Sequence, residues 1–436
     1  MTETPPAIPP SDREIGIDFY GTRAPGAPGR VKITPQDFRV SEISAYPTPD
    51  PTGDRTVIEI ESENWEQHEL AEAIARRWGL SPHALEWAGT KDRRAVSVRL
   101  FSYLGAPPTQ ELGLPRVRLV QAYRSRQGLS LGHHYGNRFA IRIETLGDVE
   151  TSLRRYEEVR AELRELGGFA NLFGPQRFGE VRPITHEVGR ALVQGDSHRA
   201  VEIYLCDTTH GPDSIGQAAR RAYAEHRDAA RALREFPPSF GFERALLERL
   251  ARGQSPDRAL KALSRELRML FVHAYQSLLF NRWVSRRVAR GIPLDRPIVG
   301  DTLLRVGRDG TLVSRPGIPV GSDNLEEANR WVADRGAVLA GPLVGYETPE
   351  SRGLPGEILE SILAEEGVTR EAFRLYAHPE VASAGAFRPV RVPMPSLALA
   401  PVDGGVLFEF SLPKGAYATI LLREFLKPSA TNFPSN

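Results

Sequence analysis

The stretch Trp87–Ser102, WAGTKDRRAVSVRLFS, sets one acid, Asp92, between Lys91 and the pair Arg93–Arg94, just after a Gly-Thr turn. A valine-rich run that alternates in strand fashion follows at once. One carboxylate among three cations at the mouth of a strand admits two readings. It is a turn residue in a surface ion pair worth about 0–1 kcal/mol, or an acid that its neighbours favour in the charged, nucleophilic form. The same cations could grip a polyanion whose sugar then lies over Asp92. Taken alone, the stretch favours the turn, because Asp is common there.

On the N-terminal side, RVKITPQDFRVSEI (30–43) alternates on both sides of a Pro-Gln-Asp turn, and TVIEIES (56–62) alternates too. Both predict strands. HELAEAIARRWGL (68–80) predicts a helix ending at Gly79, with Asn64 a candidate cap and Ser81 or His83 opening a short second helix. On the C-terminal side, RVRLVQAYRSRQ and NRFAIRIETL predict strands on either side of a loop carrying SLGHHYGN. Val149–Leu166 repeats Leu153, Tyr156, Val159 and Leu163 at helical spacing, and the glycine-dense GGFANLFGPQRFG closes this block.

From about residue 180 the chain reads as helix after helix, the longest predicted over Asp257–Arg290. Strand-like pieces such as GDTLLRVGRDGTLVS follow. Alternation returns near Phe387 in RPVRVPMPSLALAPVDGGVLFEFSLP, with an Asp-Gly-Gly turn, and a last helix is predicted from about Tyr417 to Lys427. This order describes one sheet-based domain assembled from both ends of the chain and interrupted by a helix-rich insertion. Residues 1–29, rich in Pro and Gly, are expected to form a flexible arm.

With 436 residues, 41% hydrophobic and 25% charged, the chain can bury a sizeable core. The first residues lack a secretion pattern and no run of about 18 apolar residues occurs, so a cytoplasmic protein without membrane contact is expected. The single cysteine, Cys206, excludes an internal disulfide and a four-cysteine zinc site. Net charge is only +1, yet the five lysines leave nearly all positive charge to arginine, which suits phosphates and bases.

In Gly136-Asn137-Arg138-Phe139, Asn137 could bond a base edge and Phe139 could stack on an unpaired base, worth roughly 1–3 kcal/mol. The plainer alternative is a Gly-Asn hairpin turn followed by an inward strand residue. In NLFGPQRFG (171–179) the glycine spacing resembles a phosphate loop, but Glu180 and Val181 stand where lysine and Ser or Thr are required. A rigid turn presenting Gln176 and Arg177 to RNA phosphate or to solvent remains. His133-His134 is an isolated pair, and adjacent strand residues face opposite ways, which argues against a metal site. No cofactor motif occurs.

Together, and in this order, KITPQDFRVSEI, AGTKDRRAVSVRLFS, LSLGHHYGNRFAIRI, NLFGPQRFG, AYQSLLFNRW and LPKGAYATILLREFLK resemble the TruD-type tRNA pseudouridine synthases, in the form of the archaeal members. The resemblance covers nearly the whole chain. It implies an α+β fold: a pseudouridine synthase catalytic domain with a mixed, mostly antiparallel sheet, in two parts (30–180 and 381–436) around a helix-rich α/β insertion (181–380). It implies Asp92 as the catalytic aspartate, Lys32 as its basic partner, and Phe139 stacking on the target uracil where other pseudouridine synthases use tyrosine. Asn137 and Tyr417 would complete the pocket, and Lys91, Arg93, Arg94, Gln176 and Arg177 are candidate RNA contacts. The expected reaction isomerises a uridine of tRNA, in the D arm at position 13, without cofactor or metal, on a monomeric enzyme. The alternatives are the same chemistry on another RNA, or an RNA-binding or chaperone protein of this fold that does not need catalysis.

Overall fold

The computed structural model describes residues 7–44, 47–89, 91–108, 110–130, 132, 134–179, 181–210, 214–307 and 311–427. The chain forms two compact units. Among the described residues, the first is built from Tyr20–Phe169 and Val392–Lys427, the second from Ile8–Phe19 and Ala170–Arg391.

The first unit is organised by a mixed sheet. Its strands are β1 (Gly29–Val31), β2 (Phe38–Ile43), β3 (Arg55–Glu63), β4 (Val96–Leu104), β5 (Val117–Ser125), β6 (Gly136–Thr145), β7 (Ala398–Val402) and β8 (Gly405–Pro413). They lie in the order β7-β8-β6-β2-β4-β3-β5, with β1 also on β6 and Glu86–Trp87 pairing with β4. All pairs are antiparallel except β2 with β4, where Arg39 stands against Val96. The Asp-Gly-Gly segment is the β7–β8 turn, as its sequence indicates.

Register aligns one face of this sheet. Phe38, Val40 and Glu42 of β2 stand opposite Ile141, Phe139 and Asn137 of β6, and Phe408, Phe410 and Leu412 of β8 stand opposite the same three. The helix α1 (Gln67–Arg77) covers one end, packing Leu70 and Ile74 onto Ile58, Ile60 and Phe101, all fully buried. At the other end, α2 (Val149–Glu165) and α3 (Ala418–Leu426) bring Tyr156 and Phe425 edge-on to Phe408. Between the helices the face carries Glu42, Ser97, Arg99, Asn137 and Phe139.

Three local expectations change. Asn64 sits at φ 58 and does not cap α1; the Glu66 carboxylate accepts from the His68 and Glu69 backbone N–H groups instead. Ser81 and His83 start no helix, because the chain turns there directly into Glu86–Trp87. The predicted helix Asp257–Arg290 divides into Pro256–Leu260 and Arg265–Ala289, the second capped by Ser264, whose hydroxyl accepts from the Leu267 N–H.

In the second unit the helix Arg265–Ala289 is buried along most of its length, with Phe271, Leu278, Phe280 and Val284 at most 2% exposed. A four-stranded sheet, in the order Leu312–Pro319, Thr302–Val306, Ala337–Leu343, Ala386–Pro389, lies in the same unit. Asn281, fully buried, explains two of the sequence segments. Its Oδ1 accepts from the Phe173 N–H at 2.9 Å, and its Nδ2 donates to the carbonyls of Phe173 and Ile15. Part of the expected arm is therefore ordered: Pro10–Glu14 is a short helix, and Ile15 and Ile17 are buried.

Candidate active site

Lys32 follows β1 in a left-handed conformation, φ 59, which turns its side chain inward. Its ammonium donates to Asp92 Oδ2 at 2.5 Å and lies 4.4 Å from the centroid of the Phe38 ring. The lysine side chain is 8% exposed and the aspartate side chain 40%, so the carboxylate is the accessible member of the pair. Phe38 touches Phe139 edge-on at 6.0 Å, and Phe139 stacks on Phe410 at 5.2 Å and 27°. Asp92, Lys32 and the ring row are thus one connected assembly, although they come from four separate parts of the sequence.

Beside the ring row lies a buried polar group. Lys91 donates to Glu42 Oε2 at 3.0 Å, with side chains 3% and 2% exposed. Burial pulls the Lys91 ammonium below its ordinary range, against the raising fields of Glu42 and Asp92. Arg99, 1% exposed, donates to Gln67 and to the Ser97 hydroxyl, and burial lowers it to about 10. His134 is pushed down by burial first and then by Lys91. Five buried polar atoms of this group have no hydrogen-bond partner among the described residues: Glu42 Oε1, Gln67 Nε2, Arg99 Nε, His134 Nδ1 and Asn137 Oδ1. Unsatisfied buried polar atoms are costly, and their clustering is what a site for a polar, hydrogen-bonding ligand requires.

The other sequence candidates fall as follows. Arg93 is exposed, and Arg94 donates to the Ile33 carbonyl at 2.6 Å. Lys91 is not available to phosphate, because it is buried against Glu42. Gly136 and Asn137 begin β6 and are not a hairpin turn. Tyr417 is half-buried at the cap position of α3. Gln176 and Arg177 occupy a single helical turn, Pro175–Arg177, of the second unit, where Arg177 donates to Ser277 Oγ at 3.2 Å. His133 lies outside the described residues, and among those described no cluster of three or more potential metal ligands occurs. Reading the sequence overlooked Glu42, Arg99, Phe38 and Phe410. Glu42 had a signal, being a charged residue at an inward position of the alternating FRVSEI.

The family model described as tRNA pseudouridine synthase D (TruD) matches residues 14–425. The chain belongs to the TruD family. A relative from Halobacterium salinarum, named probable tRNA pseudouridine synthase D, is 36% identical over 430 residues, covering 96% of this chain and 98% of its own length. One of the same name from Archaeoglobus fulgidus is 35% identical over 421 residues, 95% of this chain and 99% of its own. The crystal structure of a protein from Methanosarcina mazei, named putative tRNA pseudouridine synthase D (TruD), superposes with a TM-score of 0.84 at 30% identity, covering 98% of this chain and all of that one. The protein is an enzyme of the tRNA pseudouridine synthase class, and the mixed α+β fold expected from its sequence is the TruD fold. Among the described residues, no helix is long and apolar enough to cross a membrane.

Proposed function

We propose that this TruD-family enzyme isomerises a D-arm uridine of tRNA to pseudouridine, with Asp92 acting on the sugar. The observation that carries the reading is the Lys32–Asp92 contact of 2.5 Å placed beside the row Phe38, Phe139 and Phe410. The reaction breaks the N1–C1′ bond, turns the base and joins C5 to C1′. It needs a fixed carboxylate at the sugar and a flat surface that holds the base without fixing its rotation. An accessible Asp92 held by a buried ammonium supplies the first, either as nucleophile at C1′ or as base at C2′. Phe139 supplies the second, and a phenyl ring constrains in-plane rotation little because it makes no hydrogen bonds. Asn137, on the same face and with Oδ1 unpartnered, would hold the edge of the base. The target must leave its stack at a cost of a few kcal/mol, which stacking and arginine–phosphate contacts offset. Exposed Arg93 is the cation beside Asp92 best placed for such a contact. The enzyme acts as a monomer in the cytoplasm.

The test is to incubate the protein and its Asp92→Asn variant with unmodified tRNA and map pseudouridine by carbodiimide-dependent reverse-transcription stops. One modified D-arm uridine is expected, absent with the variant. Modification by Asp92→Asn sinks the role of Asp92; binding without modification by either protein favours the chaperone reading.

A further inference from the structure

The isomerisation leaves one proton to account for. When C5 joins C1′, the ring carbon still carries its hydrogen, and aromatic pseudouridine forms only when that proton leaves. Phe139 has no atom that can accept it. Asp92, held by Lys32, is assigned above to the sugar. A base at the edge of the stacked uracil would take that proton without Asp92 having to move from the sugar.

We infer that Glu42 is this base, taking the C5 proton on its unpartnered Oε1. Glu42 stands directly opposite Asn137 in the β2–β6 register, and Val40, two residues before it, stands opposite Phe139. Alternate strand residues share a face about 7 Å apart, so the carboxylate rises beside whatever lies on the Phe139 ring. Its two oxygens are differently occupied: Oε2 accepts from Lys91 at 3.0 Å, while Oε1 is buried with no partner among the described residues. Lys91 precedes Asp92 in the chain, so one short segment fixes both the acid at the sugar and the cation behind the base. Leaving an oxygen unpartnered in a side chain only 2% exposed costs stability, which a bound ligand or a proton-transfer role would offset.

The step balances. The N1–C1′ electron pair passes to N1 as Asp92 bonds to C1′ or takes the C2′ proton. When the C5–C1′ bond forms from the ring double bond, the Asp92 oxygen leaves C1′ with its electron pair, or Asp92 returns the proton to C2′. The C5–H electrons then restore that double bond as the proton goes to Glu42 Oε1. N1 takes up one proton from the same carboxyl, directly or relayed through a water, so nothing is oxidised and Glu42 returns to its starting state. Lys91 is the positioning residue: it keeps Oε2 occupied and turns Oε1 towards the base.

The inference rests on the roles given above to Asp92 and Phe139, and one assay separates them. Single-turnover rates are measured on tRNA bearing hydrogen or deuterium at C5 of its uridines, for the wild type, Glu42→Gln, the double variant Glu42→Gln/Lys91→Met, His134→Gln and Asp92→Asn. The double variant removes both buried charges and so survives if Glu42→Gln alone fails to fold. Turnover of the Glu42 variants is expected to fall about 10²–10⁴-fold. Their tRNA binding should be unchanged, and a primary deuterium effect should emerge because C5 deprotonation has become rate-limiting. Near-normal turnover of both, or slow turnover without a deuterium effect, overturns the role of Glu42. So does the same signature in His134→Gln but not in Glu42→Gln, since His134 Nδ1 is the other buried unpartnered acceptor among the ionisable groups here. If Asp92→Asn is dead while Glu42→Gln is normal, only this inference falls. If Asp92→Asn is normal, the whole site reading falls.

Discussion

Replacing Lys32 with methionine keeps the unbranched stem over Phe38 and removes only the charge that holds Asp92. At 2.5 Å a full charge pair is worth about 2 kcal/mol in water and about 7 kcal/mol at an effective dielectric of 20. The aspartate side chain is 40% exposed, which places the pair near the watery limit. A loss of about 2–3 kcal/mol of transition-state stabilisation follows, or roughly 30- to 150-fold in kcat. Stability should hardly move. The lysine is 8% exposed, so removing its ammonium also removes a desolvation cost, while the freed carboxylate can turn to solvent; the balance is about 1 kcal/mol or less. Single-turnover pseudouridine formation at saturating enzyme, tRNA binding by filter retention, and urea unfolding together read out all three quantities. Wild-type kcat in Lys32→Met would refute the reasoning. So would an activity loss matched by an equal loss of stability, because Lys32 would then be structural.

Phe139→Ala should cut turnover about 10- to 100-fold through lost stacking, with tRNA affinity nearly unchanged; a pure affinity loss with normal turnover contradicts the stacking role. Gly136→Ala should lower the melting temperature of the first unit, since its Cβ would fall 2.1 Å from the Leu412 carbonyl oxygen and force β6 and β8 apart, costing about 1–3 kcal/mol. An unchanged melting temperature would show that the strands adjust freely. His186 in the second unit is held down to about 3, by burial first and then by Arg190 and Arg282. Its unfolded form protonates below about 6.5, so its contribution is complete above that pH and is lost as pH falls towards the folded value. Between pH 8 and pH 5 urea unfolding should lose about 2 kcal/mol more in wild type than in His186→Gln; equal losses would mean that His186 takes its proton in the folded state.

Much of the first unit was legible because its strands alternate and its helices carry one apolar face. FRVSEI, TVIEIES and VLFEFSLP each show in one line of sequence which residues turn inward. What lies between the strands was not legible. Nothing local says that Phe410 backs Phe139 or that Lys91 reaches Glu42, because pairing across long separations is a property of register. Lys91 therefore read as one of three surface cations, when only Arg93 of that trio is exposed. Asn64 was misread for a related reason: a polar residue before a helix suggests a cap, but its left-handed backbone hands that role to Glu66. Asp92 was a candidate from its own stretch, but the resemblance was needed to prefer the catalytic reading and to bring in Lys32, and their contact needed coordinates.

The order of strands also bears on how the enzyme comes into being. Phe139 lies in a strand made early in synthesis, yet its stacking partner Phe410 and the whole of β8 are made near the end. The inner strand β6 thus has one edge unpaired until the ribosome has almost finished, and that exposed ladder must be kept from other chains meanwhile. A polypeptide that stops short of β8 retains Asp92, Lys32, Glu42 and Phe139 but lacks Phe410, the ring on which Phe139 stacks. On the role proposed for Phe139, a chain terminated before β8 is expected to be inactive, its stacking ring left without support.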